Sequence, residues 1–208
     1  EPVVKEDENQ KKVAVTVYAE VTPNPSVMKF VTNKRIVPTT FEFKNIDEAK
    51  DSELAKQLFM LPFVKEVFFD VNYVSINKYD VAEWDDITLE LREKIRDFIA
   101  AGKEVVSAKS LQKQNTNTPE AQLEDTNLDD ISKQIIDILE EYVKPAVASD
   151  GGNILFKSYE EDTKTVNVIL QGACSGCPSS TYTLKNGIET MLKNMMGDMV
   201  NEVVALNG

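Results

Sequence analysis

Apolar and polar positions alternate from Val13 to Val21, in Val-Ala-Val-Thr-Val-Tyr-Ala-Glu-Val, and this period of two predicts a strand with one buried face. Thr22-Pro-Asn-Pro25 stops it, because each proline fixes φ and biases the residue before it away from helix. That tetrapeptide reads as a turn or as a binding element. Val27–Val31, Arg35–Val37 and Phe41–Phe43 are short strand candidates. Asp47 is placed to cap a helix that turns Ala49, Leu54, Leu58 and Phe59 inward. Val64–Val71 and Tyr73–Lys78 read as a hairpin around Asp70-Val-Asn72. Trp84, Ile87, Leu91, Ile95, Phe98 and Ile99 recur at helical spacing and predict a helix that ends at Gly102. Trp84, Phe68 and Phe69 are expected in the core rather than around a ligand.

The pattern changes after Gly102. Residues 103–126 are rich in Ser, Thr, Asn, Gln and Lys, contain Pro119 and have few large apolar residues, which is the composition of a flexible linker. Beyond it, Asn127 or Asp129 opens a helix in which Leu128, Ile131, Ile135, Ile138, Leu139, Tyr142 and Val143 form an apolar face, and Pro145 should kink or end it. Asp150-Gly-Gly152 reads as a turn whose glycines can take positive φ. Strands are predicted at Asn153–Ser158 and Thr165–Leu170, a helix over residues 179–196, and a last strand at Asn201–Leu206. The expected fold class is α+β. Two small α/β-sandwich domains are joined by a flexible linker: a disordered tail (1–12), a first domain (13–102), the linker (103–126) and a second domain (127–208) of α-β-β-α-β order.

Composition narrows the partners. The formal net charge of −12 argues against nucleic acid, since phosphate binding needs clustered Lys and Arg. No run approaches the roughly 18 to 20 apolar residues of a membrane span, so no membrane partner is expected. Two cysteines in CxxC spacing do not make a secreted disulfide framework, and a reducing compartment fits better. The expected site is the bacterial cytoplasm, with a mitochondrial matrix after removal of a transit peptide as the alternative.

Chemistry concentrates in Gln171-Gly-Ala-Cys-Ser-Gly-Cys-Pro-Ser-Ser180, which holds both cysteines, Cys174 and Cys177, of a chain without histidine. A thiol ligates or attacks only as the thiolate, and a helix N-terminus lowers its pKa. Pro178 suits a first helical turn, so both sulfurs are expected to face partial positive charge. Gly172 and Gly176 leave room for tight turns around an inorganic centre. Zinc and iron–sulfur centres are held by about four protein donors, and one chain offers two thiols. Two copies meeting across a two-fold axis would complete the set. A thioredoxin-like redox pair, a zinc-bridged interaction module and a pair without a role are the other readings. The redox reading suffers from order, because thioredoxin-like chains place the pair early, with several strands behind it, and here one strand follows.

The same stretch, with Asp150-Gly-Gly152 before it and Thr183-Leu-Lys-Asn-Gly-Ile-Glu189 after it, resembles the NifU C-terminal domain of Nfu-type iron–sulfur scaffold proteins. Thr22-Pro-Asn-Pro25 with Lys29-Phe30 is similar to the N-terminal domain of many Nfu proteins, although Leu61-Pro-Phe-Val64 departs from the glycine-valine step of that pattern. The resemblance implies a non-enzymatic scaffold. It would receive an iron–sulfur cluster, usually 4Fe–4S, from assembly machinery, hold it bridged in a homodimer by Cys174 and Cys177, and hand it to apo-proteins.

Overall fold

The computed structural model of the chain describes residues 14–107, 129–175 and 178–207. The expected tail and most of the expected linker lie outside them. The first domain is a five-stranded antiparallel sheet in the order β1-β2-β5-β4-β3, formed by β1 (Val17–Val21), β2 (Val27–Thr32), β3 (Phe41–Phe43), β4 (Val64–Asp70) and β5 (Tyr73–Lys78). Its helices are α1 (Glu53–Phe59) and α2 (Trp84–Ala100). Phe30, Phe69, Val74 and Ile76 point from the sheet into one core with Leu54, Leu58, Leu91 and Ile95. Gly102, at φ +71°, closes α2 as the sequence predicts.

Three local expectations fail here for identifiable reasons. Arg35–Val37 forms no strand: the Arg35 guanidinium donates to the carbonyls of Val37 and Pro38, folding that segment on itself. Asp47 precedes only a short 3₁₀ turn (Glu48–Asp51) and its side chain makes no capping bond. The cap of α1 is Ser52, whose hydroxyl accepts from Ala55 N–H at 3.1 Å and donates to the Val105 carbonyl at 2.7 Å. That second bond ties residues 103–107 to the first domain, and Val105 and Val106 are buried in its core. The first five residues assigned to the linker therefore pack against the first domain.

The second domain runs α3 (Asp130–Ile138), a π turn (Leu139–Val143), α4 (Lys144–Ser149), β6 (Gly152–Glu160), β7 (Thr165–Gly172), α5 (Pro178–Met196) and β8 (Glu202–Asn207). The sheet order is β6-β7-β8, antiparallel between β6 and β7 and parallel between β7 and β8, with α5 as the crossover. Asp129 caps α3 by accepting from Ser132 N–H at 2.7 Å. Pro145 does not end the helical run. The wide π turn admits it, and it sits in the first turn of α4, where a missing N–H costs nothing. Ile135, Leu139, Val143 and Val147 recur every fourth residue and all are buried, which leaves Tyr142 outside the apolar face at 48% exposure.

Candidate functional site

The site is built where β7 gives way to α5. Gly172 ends β7 at φ +64°, a conformation that costs a side chain-bearing residue free energy. Its carbonyl accepts from both Ser175 N–H (3.1 Å) and Ser175 Oγ (3.0 Å), closing a tight turn over Ala173 and Cys174. Ala173 N–H donates to the Gly151 carbonyl, and Thr181 Oγ1 of α5 donates to the Cys174 carbonyl. The turn is thus tied on one side to the Asp150-Gly-Gly152 bend and on the other to the helix. Cys177 and Gly176 lie outside the described residues.

The glycine pair divides its labour. Gly151 has φ +83°, as expected, but Gly152 does not take positive φ and is the first residue of β6. Space is its reason: a Cβ there would stand 2.6 Å from the Gln171 carbonyl and 2.8 Å from Cys174 Sγ. Cys174 itself is 7% exposed and belongs to the core of the second domain, beside Ile154, Leu170 and Ile188. Burial, helped by the charge of Asp150, pushes its thiol up to about 12. The expected lowering by a helix N-terminus is therefore outweighed at Cys174 by loss of solvent.

The first domain covers the backbone on either side of this thiol. One face of its sheet packs on its own helices, and the opposite face lies on the glycine bend and the cysteine turn. Tyr73 Oη donates to the Gly152 carbonyl at 2.9 Å and Ser75 Oγ to the Gly151 carbonyl at 2.6 Å. Lys29 Nζ reaches the Ser149 carbonyl at 3.2 Å, and Asn24 Nδ2 reaches the Ala173 carbonyl at the same distance. Glu42 Oε1 accepts from Gly172 N–H at 2.8 Å, and burial holds its carboxyl above the usual range despite that bond. Val31, Phe68 and Tyr73 form a small apolar cluster of their own on this face. Tyr73 is raised as well, by burial first and Asp70 next, with Cys174 contributing.

Sequence reasoning placed the cysteine turn and missed this cover. Phe68 and Phe69 were both expected in one core, yet neighbours in a strand point to opposite faces: Phe69 joins the helices and Phe68 faces the second domain. The signal was present in β5, where Tyr73, Ser75 and Asn77 alternate with Val74 and Ile76, a polar row on a strand with all six residues buried. The Thr22-Pro-Asn-Pro25 segment is a turn that also binds: Thr22 Oγ1 and the Asn24 carboxamide brace it, and Asn24 then touches the residue before Cys174.

Residues 17–102 match the family described as "Scaffold protein Nfu/NifU N terminal", and residues 135–204 match the "NifU-like domain". The chain belongs to the Nfu family. A Drosophila willistoni protein named "NFU1 iron-sulfur cluster scaffold homolog, mitochondrial" is 36% identical over 184 residues, which is 88% of this chain and 61% of that protein. The human protein of the same name is 34% identical over 83% of this chain and 65% of its own length. "NifU-like protein 4, mitochondrial" from Arabidopsis thaliana is 32% identical over 88% and 63%. The chain therefore spans about three fifths of the length of these Nfu relatives. A solution structure of a NifU-like protein from Saccharomyces cerevisiae superposes with a TM-score of 0.42 at 23% identity, over 51% of this chain and 96% of that one.

Proposed function

We propose that this chain is an iron–sulfur cluster scaffold and carrier in which Cys174 and Cys177 of two copies together hold one cluster, of the 4Fe–4S type, for transfer to apo-proteins. The donor count carries the reading. Among the described residues no group of three His, Cys, Asp or Glu side chains converges on a point that could hold a metal. The sequence adds no histidine and no third cysteine, so one chain contributes two soft donors and a second copy must complete the set. The names of the Nfu relatives support the cargo. They also support the mitochondrial matrix rather than the bacterial cytoplasm as the compartment, because the three relatives are named mitochondrial. No helix among the described residues is long and apolar enough to cross a membrane.

Anaerobic reconstitution with iron and sulfide tests the proposal. The expected outcome is visible iron–sulfur absorption with one cluster per two chains, lost in Cys174→Ser and in Cys177→Ser, with Mössbauer spectra giving the nuclearity. A stable complex of one cluster per single chain would defeat the shared site. Rapid reduction of insulin disulfides without cluster uptake would instead make the pair a dithiol oxidoreductase.

A further inference from the structure

We propose that the polar face of the first domain's sheet is a reversible dock for the glycine bend and cysteine turn of the second domain: the empty chain keeps Cys174 capped, and the dock is vacated when two turns share a cluster. The inference rests on the proposed cluster-carrying role, and its geometry stands apart from it.

Three side chains on the face and one from the turn beside it donate to four backbone carbonyls of the second domain: Lys29 to Ser149, Tyr73 to Gly152, Ser75 to Gly151, and Asn24 of the turn to Ala173. Glu42 takes the Gly172 N–H in the reverse sense. The bonds therefore grip both arms of the double turn, the bend at residues 149–152 and the turn at residues 172–173. Shape follows the same pattern. A Cβ on Gly151 would stand 2.9 Å from Ser75 Oγ, and one on Gly172 would stand 2.9 Å from the Phe68 ring. Side chains of one domain thus fill the space that two glycines of the other leave open.

Composition makes the contact reversible. Lys29, Ser75 and Asn77 are buried on this face at 9%, 2% and 9% exposure, around the small cluster of Val31, Phe68 and Tyr73. A face with so many donors can be rehydrated when its partner leaves, whereas a permanent seam would be mostly apolar. Function makes opening necessary. With Cys174 7% exposed, the thiolates of a second copy have no route to a metal that it holds. The domain that contributes Ser75 and Tyr73, whose phenol lies near enough to Cys174 to feel its charge, is held to the bend by hydrogen bonds and can leave without unfolding the second domain's own core.

The test is the alkylation rate of Cys174 in the full chain, followed by mass spectrometry, in the wild type and in Tyr73→Phe/Ser75→Ala. Labelling through an open state scales with the population of that state, and about 1.4 kcal/mol of lost docking is a factor of ten. The expected result is slow labelling in the wild type and labelling about tenfold faster or more in the double variant, with melting of each domain unchanged. Hydrogen exchange at the Gly172 amide in Glu42→Ala gives a second reading and should accelerate in step. Wild-type labelling at the rate of a free thiol, or a double variant within twofold of the wild type, would overturn the dock. The two proposals fail separately: faster labelling in a chain that never takes up a cluster leaves the dock and removes the carrier, and cluster uptake with unchanged labelling does the opposite.

Discussion

At the scale of single residues, the glycines carry different meanings that the letter alone does not disclose. Gly152 is required by crowding, so Gly152→Ala should drive the Gln171 carbonyl and Cys174 Sγ apart and lower the stability of the second domain by about 1–3 kcal/mol, read from a denaturant titration. Gly187 is the opposite case. It lies inside α5 with nothing within 4 Å of where a Cβ would go, and its φ is not positive. Gly187→Ala should therefore raise stability by roughly 0.5–1 kcal/mol, since the glycine only adds freedom to the unfolded chain. From sequence, Gly152 was read as a turn glycine able to take positive φ and Gly187 lay within the predicted helix, and neither reading disclosed which was crowded. Cys174 shows the same limit: its place before a helix was legible, but its burial in the second domain's core, close against Gly152, was not.

Among the elements, those marked by a clear period were legible and those decided by a single hydrogen bond were not. The β4–β5 hairpin, α2 and the order of the second domain follow from alternation and helical spacing, because burying one face is the dominant free-energy gain. Asp47 was the expected cap, but the cap is Ser52, whose hydroxyl is also held by a tertiary bond to the Val105 carbonyl that no local pattern announces. Pro145 signalled a break, yet the π turn before it kept the helical path by changing the hydrogen-bond step. The cap of α3 is Asp129, one of the two candidates the sequence offered with Asn127, and it gives a prediction. Ser132 N–H and Oγ–H hold the Asp129 carboxyl below the usual carboxylate range. Because the folded pKa is depressed, the stabilisation is present above about pH 4, the unfolded value, and is lost as pH falls through the folded one. Asp129→Ala should cost about 1 kcal/mol at neutral pH, with the difference from wild type shrinking in acid, as thermal melts across pH would show.

For the molecule as a whole, docking and cargo are linked. If a cluster binds only the open chain, weakening the dock raises the fraction competent to bind, and the apparent affinity improves in proportion. Ser75→Ala should therefore take up cluster faster than the wild type under limiting iron and sulfide, while adding no ligand. Small-angle scattering should find the empty wild-type chain more compact than the empty variant. Neither outcome could be read from the sequence, which located two domains and a connecting segment but not which faces meet.

One half of the docking contact is mostly main chain, the carbonyls of Ser149, Gly151, Gly152 and Ala173 and the N–H of Gly172, joined by one side chain, Asn153, which donates to Thr40 Oγ1. Peptide groups are the same whatever side chains they bear. Asn153 apart, divergence in the second domain can then spoil the fit but hardly tune it, and most adjustment comes from Asn24, Lys29, Glu42, Tyr73 and Ser75. A chimera joining this first domain to a relative's second domain should close as well as the parent, provided that the two glycines are kept.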